Sequence, residues 1–157
     1  PRAAGADIVI GSDQAMPKPE RPFAQVQKVE QLDASQRWAY FAGELERCIG
    51  CYACRQACPL CYCESCFVSS TVPQWFPLEN QARENLLFQL VRATHLTGRC
   101  IGCGACARAC PMDIPVDLLT AKMEQEAQQL FGYRAGREID APSLLATFAE
   151  SDPEEFL

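Results

Sequence analysis

The chemistry of this chain lies in its cysteines, 11 in 157 residues. Seven fall in one stretch, Cys48 to Cys66, reading CIGCYACRQACPLCYCESC. The other four are Cys100, Cys103, Cys106 and Cys110. Cys48, Cys51, Cys54 and Cys58 follow the spacing C-x2-C-x2-C-x3-C, with Pro59 next. The later four repeat that spacing, with Pro111 next. The segments RCIGCYACRQAC (Arg47–Cys58) and RCIGCGACARAC (Arg99–Cys110) agree at nine of twelve positions. An odd cysteine count argues against a framework in which every thiol pairs. Thiols at two-residue intervals are metal ligands, which must be reduced, and so imply a reducing compartment.

The spacing selects the inorganic group. Three thiolates two residues apart wrap three irons of a [4Fe–4S] cubane, while the fourth cysteine reaches the other cluster of a pair. The expected sets are Cys48, Cys51, Cys54 and Cys110 for the first cluster, and Cys100, Cys103, Cys106 and Cys58 for the second. Gly50, Gly102 and Gly104 let backbone amides approach the inorganic sulfides. Crossed ligation would tie the two halves together across the insert 59–99. Structural zinc also uses C-x2-C pairs, but as two separated knuckles with four ligands per ion. Three cysteines in register followed by Cys-Pro, twice, fit the cubane better.

Cys61, Cys63 and Cys66 exceed what two clusters need. Three readings compete. These thiols hold a third cluster with one ligand that is not cysteine. Alternatively Cys58, Cys61, Cys63 and Cys66 hold it together, and the second cluster takes the odd ligand. Or they are spare thiols or a zinc site. The first is favoured. His95 is the only histidine and stands five residues before Cys100, so it is the candidate fourth ligand. An imidazole there would raise the potential. Asp, Glu, water or another subunit's residue are the other options.

The elements that must position these thiols read mainly as helix and irregular chain. Residues 1–31 form an N-terminal arm; Ala6–Ser12 could be a short strand, and Pro17, Pro19 and Pro22 keep the rest extended. Residues 33–47 read as a helix opened by an Asp33/Gln36 capping box, with Trp38, Phe41, Ala42 and Leu45 on one apolar face. Trp38 and Tyr40 belong to such a core stripe rather than to a redox relay. Residues 67–77 are irregular. Glu79–Thr97 reads as a helix with Leu86, Leu87, Leu90 and Val91 inward and Gly98 beyond its end. A further helix is expected to open at Asp113 (N-cap) and Pro115 and to end at Gly132. The segment from Asp140 to Ala149 suggests a short helix, followed by an acidic tail. The division is thus 1–31 arm, 32–133 iron–sulfur domain with insert 59–99, and 134–157 C-terminal helix and tail.

Composition narrows the partners. The net charge of −6 argues against nucleic acid, which needs clustered Lys and Arg. No apolar run approaches the roughly 20 residues that span a bilayer. The N-terminal residues show no secretory or twin-Arg signal. The expectation is a soluble, cytoplasmic protein.

RCIGCYACRQACPLCYCESC, LLFQLVRATHLTGRC and IGCGACARACPMDIPVDLL followed by LFGY resemble iron–sulfur subunits of anaerobic redox complexes. The family is the bacterial-type two-cluster ferredoxin module of formate dehydrogenase and deazaflavin-reducing hydrogenase beta subunits and heterodisulfide-reductase-associated proteins. The resemblance covers residues 44–133. Small subunits of tungsten aldehyde oxidoreductase and ATP-independent benzoyl-CoA reductase are similar in kind. The resemblance implies an α+β fold, mainly α and irregular. It would have a dicluster ferredoxin-like core, an inserted helix, the N-terminal arm and C-terminal helices. It implies a large catalytic partner with a tungsten or molybdenum pterin, and further flavin or iron–sulfur subunits. Neither the flavin-binding portion of the longer beta subunits nor a G-x-G-x-x-G or Walker motif is seen.

The expected function is outer-sphere electron transfer at low potential, about −400 mV for all-thiolate clusters of this kind. The chain itself is expected to be non-catalytic. Two alternatives belong to other classes: a third cluster acting as Lewis acid on a substrate, and a zinc-binding interaction module. Arg47, Arg55, Arg99 and Arg108 flank the motifs and read as solvated side chains rather than partner contacts.

Overall fold

A computed structural model describes residues 23–76, 80–148 and 150. Six helices organise it: α1 (Ala24–Glu30), α2 (Ala34–Glu46), α3 (Ala53–Gln56), α4 (Ala82–His95), α5 (Ala105–Arg108) and α6 (Asp117–Phe131). Short 3-10 turns occupy Phe67–Ser69 and Leu144–Ala146. Among the described residues there is no strand, only an isolated bridge between Thr71 and Gln74. The β component of the expected fold is therefore missing there. The reason is local: the cysteine loops step repeatedly through positive φ at Gly50, Tyr52, Gly102 and Gly104, which breaks extended pairing.

The capping box forms as expected. Gln36 N–H donates to Asp33 Oδ1 at 2.8 Å, and Asp33 N–H donates to Gln36 Oε1 at 3.0 Å. The expected apolar face of α2 is shorter than the pattern suggested. Leu45 is buried, Phe41 and Ala42 are half-buried, and Trp38 is 61% exposed.

Helix α4 lies between α2 and α6 and packs on both. The face it buries differs in part from the expected one: Leu86 is half-buried against the core and Val91 is half-buried. Asn85, Phe88, Gln89, Arg92, Ala93 and Leu96 are buried, whereas Leu87 and Leu90 are exposed. Three of those six inward residues carry polar side chains. Asn85 and Gln89 turn toward the cysteine loops, where the Cys48 carbonyl and the Cys54 sulfur accept from them, so hydropathy alone does not set the face.

Asp113 is not an N-cap. It takes φ +52, and α6 begins only at Asp117, after Val116. Gly132 at φ +62 ends α6 as expected. The C-terminal segment yields a single 3-10 turn in place of a helix.

The N-terminal arm is helical in its last part. Val26 of α1 is buried against Leu118 and Ala121 of α6, and Lys122 pairs with Glu30. That apolar contact explains why residues 24–30 fold back instead of running extended. The strand expected at residues 6–12 lies outside the described residues. No described helix is long and apolar enough to cross a membrane.

Candidate metal centre

The sequence repeat is also a backbone repeat. Each motif turns at a glycine in the left-handed region, Gly50 (φ +65) and Gly102 (φ +69). Each then passes a second left-handed residue, Tyr52 (φ +57) or Gly104 (φ +68), and enters a four-residue helix, α3 or α5. Tyr52 adopts a conformation that its counterpart Gly104 reaches without strain. Its ring is held edge-on to Phe88 at 5.0 Å between centroids, with Arg55 over its face at 5.7 Å. The two short helices pack on each other.

No disulfide joins any of the 11 thiols. Cys54 is buried in the central core with Leu45, Phe88, Ile114 and Val116, and Cys48, Cys106 and Cys110 pack against that core. Burial is the largest influence on the Cys48 thiol and pushes it up. The Gly50 amide opposes this, and the nearby thiols of Cys54, Cys110 and Cys51 add to it. Cys110, from the second motif, thus stands among the thiols of the first. The Ile114 N–H donates to Cys110 Sγ at 3.5 Å, and Gln89 Nε2 donates to Cys54 Sγ at 3.4 Å.

The loop carrying Cys48 is fastened to the start of α4. Asn80 Nδ2 donates to the Cys48 carbonyl at 2.6 Å, and Asn85 Nδ2 donates to it at 3.3 Å. A Cβ at Gly50 would meet Asn80 Oδ1 at 3.1 Å, so the close approach reinforces the need for glycine.

Cys58 follows α3 and lies against Cys61, whose N–H donates to the Cys58 carbonyl at 3.1 Å. The Cys61 thiol is pushed up to about 11, first by burial and then by Cys58 beside it. Cys61, Cys63 and Cys66 line one cavity of about 240 Å³, together with Glu64, Arg92 and His95. That space is several times the roughly 30 Å³ share of a water molecule. The His95 ring sits edge-on to Phe67 at 5.7 Å. His95 and the three extra thiols, 29 residues or more apart in the chain, are therefore brought to one place.

Among the described residues, no three His, Cys, Asp or Glu side chains converge on a point that could hold a single metal ion. The donor set is nevertheless suited to soft iron–sulfur groups, being thiols with N–H donors directed at sulfur. The guanidinium of Arg92, 3% exposed, has a buried Nη1 without a hydrogen-bond partner. A negatively charged cluster alongside would answer it.

Of the flanking arginines, Arg47 donates to the Met112 carbonyl and pairs with Glu44. Arg55 donates to Ser69 Oγ, Arg108 to the Cys103 carbonyl, and Arg99 lies over the Tyr62 ring. They brace the loops more than the solvated reading allowed. Sequence reasoning missed Asn85, Gln89 and Arg92. Their i, i+4, i+7 spacing was the available signal, but the neighbouring leucines outweighed it.

Two family models, each described as a 4Fe-4S binding domain, match residues 39–60 and 94–116, one over each motif. The chain thus carries two segments that each match a 4Fe–4S binding domain of the ferredoxin type. It is 33% identical over 130 residues to the F420-dependent formate dehydrogenase subunit beta of Methanocaldococcus jannaschii, covering 82% of this chain and 33% of that protein. It is 28% identical over 145 residues to the F420-dependent formate dehydrogenase 1 subunit beta of Methanococcus maripaludis, covering 92% of this chain and 36% of that protein. The module thus spans about a third of the length of these relatives. It binds [4Fe–4S] clusters and belongs to the chemistry of electron transfer.

Proposed function

We propose that this module is the electron-transfer part of a formate-dehydrogenase-like oxidoreductase. It would relay low-potential electrons to or from a catalytic subunit, with a tungsten or molybdenum pterin, in a reducing cytoplasm. The chain would itself be non-catalytic. The observation that carries this reading is the nearness of Cys110 to Cys48, Cys51 and Cys54, which supports the crossed ligation of a two-cluster ferredoxin. The formate dehydrogenase relatives support the choice of complex.

The ligand sets are Cys48, Cys51, Cys54 and Cys110 for one cluster, and Cys100, Cys103, Cys106 and Cys58 for the other. Cys61, Cys63 and Cys66 hold a third, with His95 as the fourth ligand. The shared cavity supports that last set. When bound, such clusters supply one-electron transfer without bond making.

The protein's own residues do the rest. Asn80 and Asn85 fix the Cys48 loop, and Gln89 and the Ile114 amide donate to ligand sulfur. Cys51, Cys63 and Cys103 are exposed, one from each set, so each site has an edge at the surface for exchange with a partner.

The test is strictly anaerobic purification with any associated subunit, followed by metal analysis and electron paramagnetic resonance of the dithionite-reduced sample. Cubane signals and a co-purifying subunit with tungsten or molybdenum are expected. A homogeneous chain loaded with zinc and free of iron would overturn the reading.

A further inference from the structure

Arg92 occupies a junction that none of the cysteine motifs announces. It lies on the inward face of α4, 3% exposed. Its Nε donates to Gln89 Oε1 at 3.0 Å and its Nη2 to the Val116 carbonyl at 3.3 Å, both neutral acceptors. Nη1 is buried with no hydrogen-bond partner. Through Gln89, the same chain of contacts reaches Cys54 Sγ. Arg92 also lines the cavity of Cys61, Cys63 and Cys66. One guanidinium therefore borders residues of the third set and reaches the first through Gln89.

A guanidinium keeps its proton under all ordinary conditions, so this charge is permanent. Buried, it is screened little by salt or water. A fixed positive charge favours whichever redox state of a neighbour is more negative. Adding one electron to a cluster makes it more negative by one unit, so the reduced state gains more from Arg92 than the oxidised state does.

We propose that Arg92 is a potential-setting residue. By its buried charge it raises the reduction potential of the cluster at Cys61, Cys63 and Cys66, and through Gln89 it couples to the one at Cys54. This rests on the cluster assignment given above, and it assigns α4 a role beyond carrying His95.

The experiment is a potentiometric titration of the anaerobically prepared full chain, read by electron paramagnetic resonance. It compares wild type with Arg92→Gln, Arg92→Lys and Arg83→Gln. Arg83 is a solvent-exposed control that removes the same unit of charge; its side chain is 76% exposed. Arg92→Gln is expected to disfavour reduction of at least one cluster by tenfold or more, a midpoint lowered by about 59 mV for one electron. Arg92→Lys should recover more than half of the shift, and Arg83→Gln should leave the midpoints in place. Iron content should be equal in all four proteins.

Midpoints unchanged in Arg92→Gln would overturn the proposal. So would equal shifts in Arg92→Gln and Arg92→Lys, or iron lost to the same extent from both, since either would make Arg92 a scaffold residue. A wild-type chain without cluster signals would fail earlier, at the cluster assignment, and is distinguishable from unshifted midpoints.

Discussion

Gln89 donates a hydrogen bond from Nε2 to Sγ of Cys54 across 3.4 Å, and both residues are buried. A donor aimed at a ligand sulfur stabilises the more negative, reduced state of the group that sulfur holds. Hydrogen bonds to charged groups are worth roughly 1.5–3 kcal/mol, and only part of that differs between redox states. Gln89→Met should therefore lower one cluster's midpoint by about 20–40 mV, where tenfold is 59 mV. Potentiometric titration checks this, with iron content unchanged.

The proposed crossing of the motifs has its own signature. Cys110→Ser should abolish the same resonance signal that Cys51→Ser abolishes, although the two residues lie in different motifs. If Cys110→Ser instead matches Cys103→Ser, the ligation is uncrossed. Spectra of the three variants, reduced side by side, decide it.

The inward face of α4 can be tested by stability. Phe88 is 4% exposed and meets the rings of Tyr52 and Phe67. Phe88→Ala should destabilise the cluster-loaded protein by about 3–5 kcal/mol. Leu87 is 51% exposed, so Leu87→Ala should change stability by less than about 0.5 kcal/mol. Anaerobic denaturant unfolding of both variants gives the comparison. The opposite ranking would restore the hydropathy reading of this helix.

That helix also shows where the sequence was legible and where it was not. The cysteine repeat, the Asp33 cap and the Gly132 stop are local signals, and each appears in the structure. The orientation of α4 is not local. Its four leucine-side positions form a plausible apolar stripe, yet the residues that turn inward serve the Cys48 carbonyl, the Cys54 sulfur and the Arg92 junction. A periodicity count weighs hydropathy alone and cannot see that the core contains thiols. Asp113 fails as a cap for a related reason. The chain leaving Cys110 must first turn, and Asp113 takes the left-handed conformation of that turn.

A pH effect follows for the metal-free, reduced chain. The Cys61 thiol is raised from 9.0 to about 11 by burial and by Cys58. The folded state therefore holds this proton more tightly than the unfolded chain does. Its contribution is fully present below pH 9 and is lost as pH rises toward 11. The thermal midpoint of the metal-free chain should fall over that interval, and Cys61→Ser should flatten the fall. A midpoint that rises from pH 9 to 11 would contradict the burial of this thiol.

Iron and acid-labile sulfide per chain, measured on anaerobically prepared wild type, Cys61→Ser and His95→Ala, bear most directly on the three ligand sets. With four irons per cubane, wild type should hold about twelve irons and Cys61→Ser about eight. His95→Ala should keep the eight of the two crossed sets and lose or spectrally alter the third. A wild type with about eight irons, unchanged by either substitution, would contradict a cluster in the cavity of Cys61, Cys63, Cys66 and His95.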